Sequence, residues 1–150
     1  MKKNTSDEPK PKILIVDDDS DFLEAYRAYL KFRFDVHLAL DGMEAINKLK
    51  EIVPSVVLLD LRMPRVSGVG VLKYMQMWPA MRAIPVIVIT GQRLDRKLRD
   101  LLDSLANTYE CFEKTIAPWR VAEEACLLAE LGPLYRVTPE LTGEVSDGRA

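Results

Sequence analysis

The sequence predicts an α/β domain in which a doubly wound, five-stranded parallel sheet is flanked by five helices. Short, continuously apolar runs indicate strands that are buried on both faces of a sheet. Segments whose apolar residues recur at helical spacing separate each run from the next, and strict alternation of this kind is typical of parallel sheets. The 150 residues, 48% of them apolar, suffice for one domain with a substantial core.

A polar leader precedes the first strand and the first helix. We expect residues 1–11, which contain two prolines, to form a flexible leader. The first strand is the apolar run Ile13–Asp17. Asp19 or Ser20 then offers a side-chain oxygen that can cap a helix running to about Arg33. The apolar side chains that share one face of this predicted helix are Phe22, Ala25, Tyr26, Tyr29 and Leu30.

The second strand and the second helix are short. The run Asp35–Leu40 is more polar than the first strand, which favours a place at the edge of the sheet. Asp41 and Gly42 are typical turn residues, and a helical pattern follows them. The apolar positions of that pattern are Met43, Ala45, Ile46 and Leu49.

A proline precedes each of the next two strands. Pro54 opens a third strand that ends at Asp60, and Pro85 stands directly before the fourth strand, Val86–Thr90. Between these strands we predict a loop, Leu61–Ser67, and then a helix, Gly68–Met77. Trp78 and Pro79 end this helix.

A charged helix, a fifth strand and a last helix complete the predicted domain. The fifth strand spans about Tyr109–Glu113, and Pro118 stands where a first-turn proline begins a helix ending near Gly132. Residues 133–150 show no clear periodicity, so we predict a disordered tail after a folded domain spanning 12–132. The charged fourth helix is predicted at Leu94–Leu105, with Leu94, Leu98, Leu101, Leu102 and Leu105 facing inward.

The composition argues against several classes of protein. A net charge of −2 is too balanced for a protein whose main partner is nucleic acid. The sequence holds no apolar window long enough for a membrane span and no secretory-type stretch before the first strand. Cys111 and Cys126 indicate reduced thiols in a cytoplasmic protein, and two cysteines with one histidine make at best a poor zinc site.

Four predicted strand ends carry polar side chains suited to holding a phosphoryl group. Asp17 and Asp18 lie at the end of the first strand, and Asp60 ends the third. Thr90 ends the fourth strand, and Lys114 directly follows the fifth. Because the carboxyl ends of parallel strands lie along one edge of a sheet, we expect these side chains to share a crevice.

The residue types in this crevice predict phosphoryl chemistry with a divalent cation. Clustered carboxylates repel one another, and Mg²⁺ with oxygen ligands relieves that repulsion where a phosphate completes the shell. An ammonium and a hydroxyl can hold phosphoryl oxygens, and a carboxylate can act as the nucleophile. Each residue taken alone also fits an ordinary cap, turn or surface role, so the prediction depends on the matched set.

The motifs around these strand ends carry a family resemblance. They are Ile15-Val16-Asp17-Asp18-Asp19, Asp41-Gly42 with Glu44-Ala45, Leu59-Asp60-Leu61-Arg62-Met63-Pro64 with Gly68, Ile89-Thr90-Gly91, and Lys114. From about Lys12 to Leu131, the chain resembles the receiver domain of two-component response regulators, and in particular single-domain, chemotaxis-regulator-like members. The resemblance implies a flavodoxin-like fold with strand order 2-1-3-4-5.

The resemblance also implies a role for each residue of the crevice. Asp60 would accept a phosphoryl group from a phosphohistidine of a sensor histidine kinase or phosphotransfer protein, and would later lose it by hydrolysis. The domain would catalyse only its own phosphorylation and dephosphorylation. Thr90 would be the switching hydroxyl, and Lys114 would pair with the phosphoryl oxygens. The implied Mg²⁺ ligands are Asp17 (largely through water), Asp18, Asp60 and the backbone carbonyl of Arg62.

Three features depart from the family pattern. Thr115 follows Lys114, where the family usually has a proline after a cis bond; a non-proline cis bond costs roughly 2.5–4 kcal/mol, so either that strain is present or the loop is reshaped. Cys111 stands where the family tends to carry an aromatic residue, and Tyr109, expected on the same strand face, is a possible substitute. The stretch from Thr90 to Lys114 is slightly longer than usual.

Several functions are open at this point. The leading one is a phosphorylation-dependent switch that signals through protein contacts. The alternatives are a phosphorylation-independent pseudo-receiver and the receiver part of a regulator whose output domain is absent from this chain. A further alternative is a Mg²⁺-dependent phosphatase. Arg62 argues against this last alternative, because related hydrolases usually place a second acid two residues after the nucleophile.

The resemblance implies two kinds of protein partner. One is the kinase or phosphotransfer protein, and the other is a downstream protein or a second copy of this chain. The expected surface for the latter consists of the fourth helix, the fifth strand and the fifth helix. Neither nucleic acid nor a membrane is expected as a direct partner. Basic and acidic residues alternate on the fourth helix, which also fits a solvated face; the basic ones are Arg93, Arg96, Lys97 and Arg99.

Overall fold

The computed structural model of the chain describes residues 9–105 and 107–131, which contain one parallel sheet of five strands. The strands are β1 (Lys12–Val16), β2 (Asp35–Ala39), β3 (Val56–Leu59), β4 (Val86–Thr90) and β5 (Thr108–Glu113). Their order in the sheet is β2-β1-β3-β4-β5. This confirms the implied strand order, and it places the polar second strand at an edge, as predicted.

The described residues form six helices, one more than predicted. They are α1 (Ser20–Leu30), α2 (Gly42–Ile52), α3 (Gly68–Gln76), α4 (Pro79–Arg82), α5 (Arg96–Ser104) and α6 (Pro118–Leu131). The additional one is the single turn α4. Its proline follows the end of α3, but a proline at a first helical position needs no N–H partner and has a suitable backbone angle, so a new turn begins there. The predicted fourth and fifth helices are α5 and α6.

The helices cover both faces of the sheet. Buried side chains of α2, α3, α4 and α5 pack on one face, and those of α1 and α6 pack on the other. Every residue of β3 and β4 is buried, as expected for continuously apolar strands between two helical layers. No helix within the described ranges combines the length and apolar character needed to cross a membrane.

The buried face of α1 differs from the predicted one. Leu23, Tyr26 and Leu30 are buried, whereas Ala25 is exposed and Tyr29 is 48% exposed. The helix also ends several residues earlier than expected. Apolar atoms contribute much of the surface of a folded protein, so helical spacing alone did not show that Ala25 and Tyr29 face solvent.

α5 is shorter than predicted because a side chain caps it later in the chain. Asp95 accepts a hydrogen bond from the backbone N–H of Leu98 at 2.8 Å, so the helix begins at Arg96. Of the leucines predicted to face inward, Leu102 and Leu105 are buried. The others are half-buried: Leu94, Leu98 and Leu101.

β5 contains a bulge that changes which of its residues share a face. The register against β4 shifts between Val86 and Ile87, and Tyr109 is the additional residue on β5. The prediction that Tyr109 and Cys111 share a face is therefore wrong. Cys111 packs against the cluster on the α2–α5 side, while Tyr109 packs against the cluster under α1 and α6. Tyr109 is thus not placed to substitute for an aromatic residue at position 111.

The predicted leader and tail extend beyond the described part of the chain. Residues 1–8 of the leader and residues 132–150, which include the predicted tail, lie outside the described residues. Their predicted flexibility and disorder stay predictions.

Candidate functional site

The carboxyl-terminal edge of the sheet gathers the side chains that the sequence placed at strand ends. Asp17 and Asp18 follow β1, and Asp60 follows β3. Thr90 is the last residue of β4, and Lys114 follows β5. Asp18 is exposed and Lys114 is half-buried. The other three side chains are buried. The edge therefore forms a crevice with a buried floor and an accessible mouth.

The three aspartates form a compact acidic cluster. One carboxylate oxygen from each of Asp17, Asp18 and Asp60 lies within 4.8 Å of the others. Burial raises the pKa of the Asp17 carboxyl above its ordinary value; Lys114 and the backbone N–H of Asp19, 2.9 Å away, oppose the rise, and the charge of Asp60 adds to it. Three clustered carboxylates with hard oxygen atoms are a donor set that suits Mg²⁺.

Lys114 brings a positive charge to the acidic cluster. Its Nζ lies 2.8 Å from Oδ2 of Asp17 and 3.4 Å from Oδ2 of Asp60. Burial is the largest single influence and lowers the pKa of Lys114, but the two carboxylates together outweigh it and raise this pKa above the ordinary lysine value. The lysine therefore stays charged at neutral pH, at a position from which it can also meet an anionic oxygen beside Asp60.

Thr90 closes the floor of the crevice. Its hydroxyl oxygen accepts a hydrogen bond from the backbone N–H of Gln92 at 3.1 Å, and its carbonyl accepts one from the backbone N–H of Lys114 at 3.1 Å. A hydroxyl both accepts and donates, so the bond from Gln92 leaves the Thr90 hydroxyl able to donate to an anionic oxygen. The backbone bond ties the end of β5 to the end of β4.

The loop after β3 holds Asp60 through close backbone packing. The backbone N–H of Arg62 donates to Oδ1 of Asp60 at 3.3 Å. The N–H of Gly68 donates to the carbonyl of Leu61 at 2.9 Å. A Cβ at position 68 would overlap the carbonyl oxygen of Asp60 and the Cα of Leu61. The glycine of the Asp60–Gly68 motif is therefore required by this close approach of two backbone segments.

A second corner of the same loop packs against the start of α2. Asp41 caps α2 by accepting the N–H of Glu44 at 2.8 Å, and it pairs with Arg65 at 2.7 Å. A Cβ at Gly42 would overlap Val66. The sequence indicated Asp41 and Gly42 as a turn and a helix entry, but it did not reveal that they brace the loop after β3. No spacing in the sequence distinguishes Arg65 from an ordinary loop arginine.

An open cleft of about 360 Å³ reaches Asp60 from solvent, and its lining residues are Asp18, Asp60, Arg62, Met63, Pro64, Gly91, Gln92 and Lys114. It has room for a divalent cation that shares its shell with water and a phosphoryl group. Every peptide bond of the described residues is trans. The bond between Lys114 and Thr115 is therefore trans, and the cis bond considered for this position does not occur.

The fold is that of a flavodoxin-like α/β protein, and its candidate ligand site lies where the strand order reverses. Within this class, the sequence model of the response regulator receiver domain matches residues 13–124. The chain therefore belongs to the receiver domain family of two-component response regulators.

Similar proteins agree with this assignment. The transcriptional regulatory protein PrrA of Mycobacterium leprae is 37% identical over 87 residues, which are 55% of this chain and 35% of that protein. The response regulator MprA of Mycolicibacterium vanbaalenii is 32% identical over 130 residues, which are 86% of this chain and 52% of that protein. This chain thus spans between a third and about half of these relatives.

A solved structure extends the agreement to three dimensions. The N-terminal domain of an uncharacterized protein from Wolinella succinogenes superposes with a TM-score of 0.74 at 29% identity, covering 81% of this chain and 95% of that one.

Proposed function

We propose that this receiver is a phosphorylation-dependent switch that accepts a phosphoryl group on Asp60 from a sensor histidine kinase or phosphotransfer protein. The observation that carries the proposal is the position of the Asp60 carboxylate at an open cleft, grouped with Asp17 and Asp18 within 4.8 Å and with Lys114 at 3.4 Å. A carboxylate nucleophile in a preorganised, charged crevice needs little further catalysis, because positioning and charge neutralisation dominate phosphoryl transfer.

In the proposed reaction, a carboxylate oxygen of Asp60 attacks the phosphorus of a phosphohistidine. The new P–O bond forms as the P–N bond breaks, and the imidazole leaves with the bonding electron pair. Asp17, Asp18, Asp60 and the carbonyl of Arg62 would hold Mg²⁺, which when bound neutralises charge between the carboxylates and the phosphoryl oxygens. Water later hydrolyses the acyl phosphate and restores the carboxylate.

Lys114 and Thr90 supply the two contacts that the phosphoryl group itself needs. The ammonium of Lys114 already lies 3.4 Å from the acceptor carboxylate, so it can pair with a phosphoryl oxygen after little movement. The Thr90 hydroxyl would donate to another oxygen, and its movement would shift the ends of β4 and α5. We propose that the face formed by α5, β5 and α6 then contacts a downstream protein or a second copy of this chain in the cytoplasm.

Phosphorylation by acetyl phosphate tests this function. The protein is incubated with acetyl phosphate with and without Mg²⁺, and its intact mass is measured. We expect one phosphoryl group per chain with Mg²⁺, little without it, and none in Asp60→Asn, in which the nucleophile is replaced by an amide. An unmodified wild-type protein, or equal modification of Asp60→Asn, would overturn the proposal.

The second candidate function is that of a phosphorylation-independent pseudo-receiver, and one observation favours it. Cys111 packs toward α5 from the position where an aromatic side chain was expected, and Tyr109 lies on the other face of the sheet. Beryllofluoride, which mimics the phosphoryl group, separates the two candidates. A working switch changes Trp fluorescence or oligomeric state with Mg²⁺ and beryllofluoride together, whereas a pseudo-receiver changes neither.

A further inference from the structure

The ammonium of Lys114 has an aromatic neighbour that the acidic crevice does not explain. Its Nζ lies 4.8 Å from the centre of the Phe22 ring, in addition to its pairs with Asp17 and Asp60 at 2.8 and 3.4 Å. A cation over the face of an aromatic ring at this distance is attracted by the ring electrons. The lysine is therefore held by two carboxylates and by a ring supplied by α1.

The chain after Lys114 gives this contact a particular importance. Residue 115 is a threonine, so no proline ring constrains the loop there. The bond that joins it to Lys114 is trans. The backbone of Lys114 is fixed by its bond to the Thr90 carbonyl, but a lysine side chain keeps several rotatable bonds beyond its backbone. A contact at the far end of the side chain is what restricts those bonds.

Phe22 is itself held firmly enough to act as a restraint. It lies in the first turn of α1, where its N–H contacts Oδ1 of the capping residue Asp19 at 3.4 Å. Its ring packs on the ring of Tyr26 with 4.6 Å between centroids, and Tyr26 is only 3% exposed. The ring is thus supported from the core side by a buried tyrosine.

We propose that Phe22 is a positioning residue, which holds the Lys114 ammonium beside Asp17 and Asp60 so that it meets the incoming phosphoryl oxygens in place. This role rests on the proposed function, because it concerns the phosphorylation of Asp60. Groups that are oriented before reaction lower the barrier without reorganisation at the moment of transfer. Phe22 does not touch the reacting atoms and acts only through the lysine.

Substitutions at position 22 test this role by kinetics. Phe22→Leu removes the ring but keeps an apolar side chain, and Phe22→Tyr keeps the ring. We expect phosphorylation by acetyl phosphate to be about three- to tenfold slower in Phe22→Leu and close to wild type in Phe22→Tyr. Phe32→Leu is the matched control, because its ring lies 5.4 Å from Lys31 on an exposed surface, in a pair of the same kind away from the crevice.

A spectroscopic readout separates positioning from general weakening of α1. The ring current of Phe22 should shift the signals of the Lys114 Cε protons, and Phe22→Leu should return them to ordinary lysine values while Phe22→Tyr and Phe32→Leu leave them shifted. Unchanged phosphorylation in Phe22→Leu, or an equal loss in Phe22→Tyr, would overturn the role of Phe22 alone. A wild-type protein that takes up no phosphoryl group would overturn the proposed function, and this role with it.

Discussion

At the scale of single residues, burial and the charge of Lys114 have opposite effects on the carboxylate of Asp17. It is fully buried beside a second carboxylate, and the Lys114 ammonium 2.8 Å away offsets only part of that cost. The net effect raises the pKa of Asp17 in the folded protein. Ionisation of the buried carboxylates is therefore unfavourable in the absence of a divalent cation. A bound cation would lower this cost, so the cost favours binding of a cation.

Replacing Asp17 by an uncharged isostere should stabilise the fold. A carboxyl whose pKa is raised by folding contributes stability that is fully present when the pH is below the ordinary aspartate pKa. This stability is lost as the pH rises through the raised pKa of the folded protein. Asp17→Asn should therefore be more stable than wild type at pH 7 without divalent cations, and the difference should shrink as pH falls. Urea unfolding at pH 7 and pH 5 measures this.

A surface substitution provides the control for that prediction. Asp100→Asn changes an exposed aspartate of α5 and should alter stability little at either pH. An Asp17→Asn protein that is less stable than wild type at pH 7 would show that the ion pair with Lys114 outweighs the burial of the carboxylate.

Thr90 allows phosphorylation and switching to be separated. Its hydroxyl accepts the Gln92 N–H and is not the nucleophile in the proposed reaction, so Thr90→Ala should still take up a phosphoryl group. The variant lacks the group that would follow the phosphoryl oxygen, so its Trp fluorescence should not respond to Mg²⁺ with beryllofluoride. Thr90→Ser restores the hydroxyl and should restore the response. Equal responses in all three proteins would contradict the role of Thr90.

At the scale of elements, the loop between β3 and α3 holds Asp60, the proposed acceptor. Gly68 packs its Cα against the backbone of Asp60 and Leu61. The same loop is braced at its other corner by Asp41 and Gly42 at the start of α2. Both corners of the loop are therefore fixed by contacts with neighbouring backbone or side chains.

Adding one methyl group to Gly68, the first residue of α3, tests that packing. Gly68→Ala places a Cβ on backbone atoms that cannot yield, so we expect a loss of about 2 kcal/mol in unfolding free energy and slower phosphorylation of Asp60. Gly70→Ala, two residues along α3, meets only side-chain atoms of Val66 and Ser67 at 3.0 and 3.7 Å and should be tolerated. Equal stability of the two variants would contradict the close approach. Chemical denaturation measures both.

The elements also show where sequence reasoning succeeds and where it fails. Strand positions were predictable because buried parallel strands read as continuous apolar runs. The face of Tyr109 was not, because a single additional residue on β5 inverts the alternation that the prediction used. The single turn of α4 was missed because a proline after a helix signals an end and a beginning equally well.

At the scale of the whole molecule, the site follows from topology. Right-handed crossovers bring the carboxyl ends of all strands to one edge, so the meeting of Asp17, Asp60 and Lys114 could be predicted from strand positions alone. The contact between Lys114 and Phe22 could not, because α1 was predicted only as a core helix. Its depth over the sheet and the rotation of its first turn depend on packing that no spacing in the sequence records.

The central claim is that Asp60 is the phosphoacceptor, and mapping the acyl phosphate tests it most directly. Protein treated with acetyl phosphate and Mg²⁺ is reduced with borohydride, which converts an aspartyl phosphate into homoserine, and the modified peptide is sequenced by mass spectrometry. We predict homoserine at position 60 and unchanged aspartate at positions 17 and 18. Homoserine at position 17 or 18, or none at all, would contradict the account.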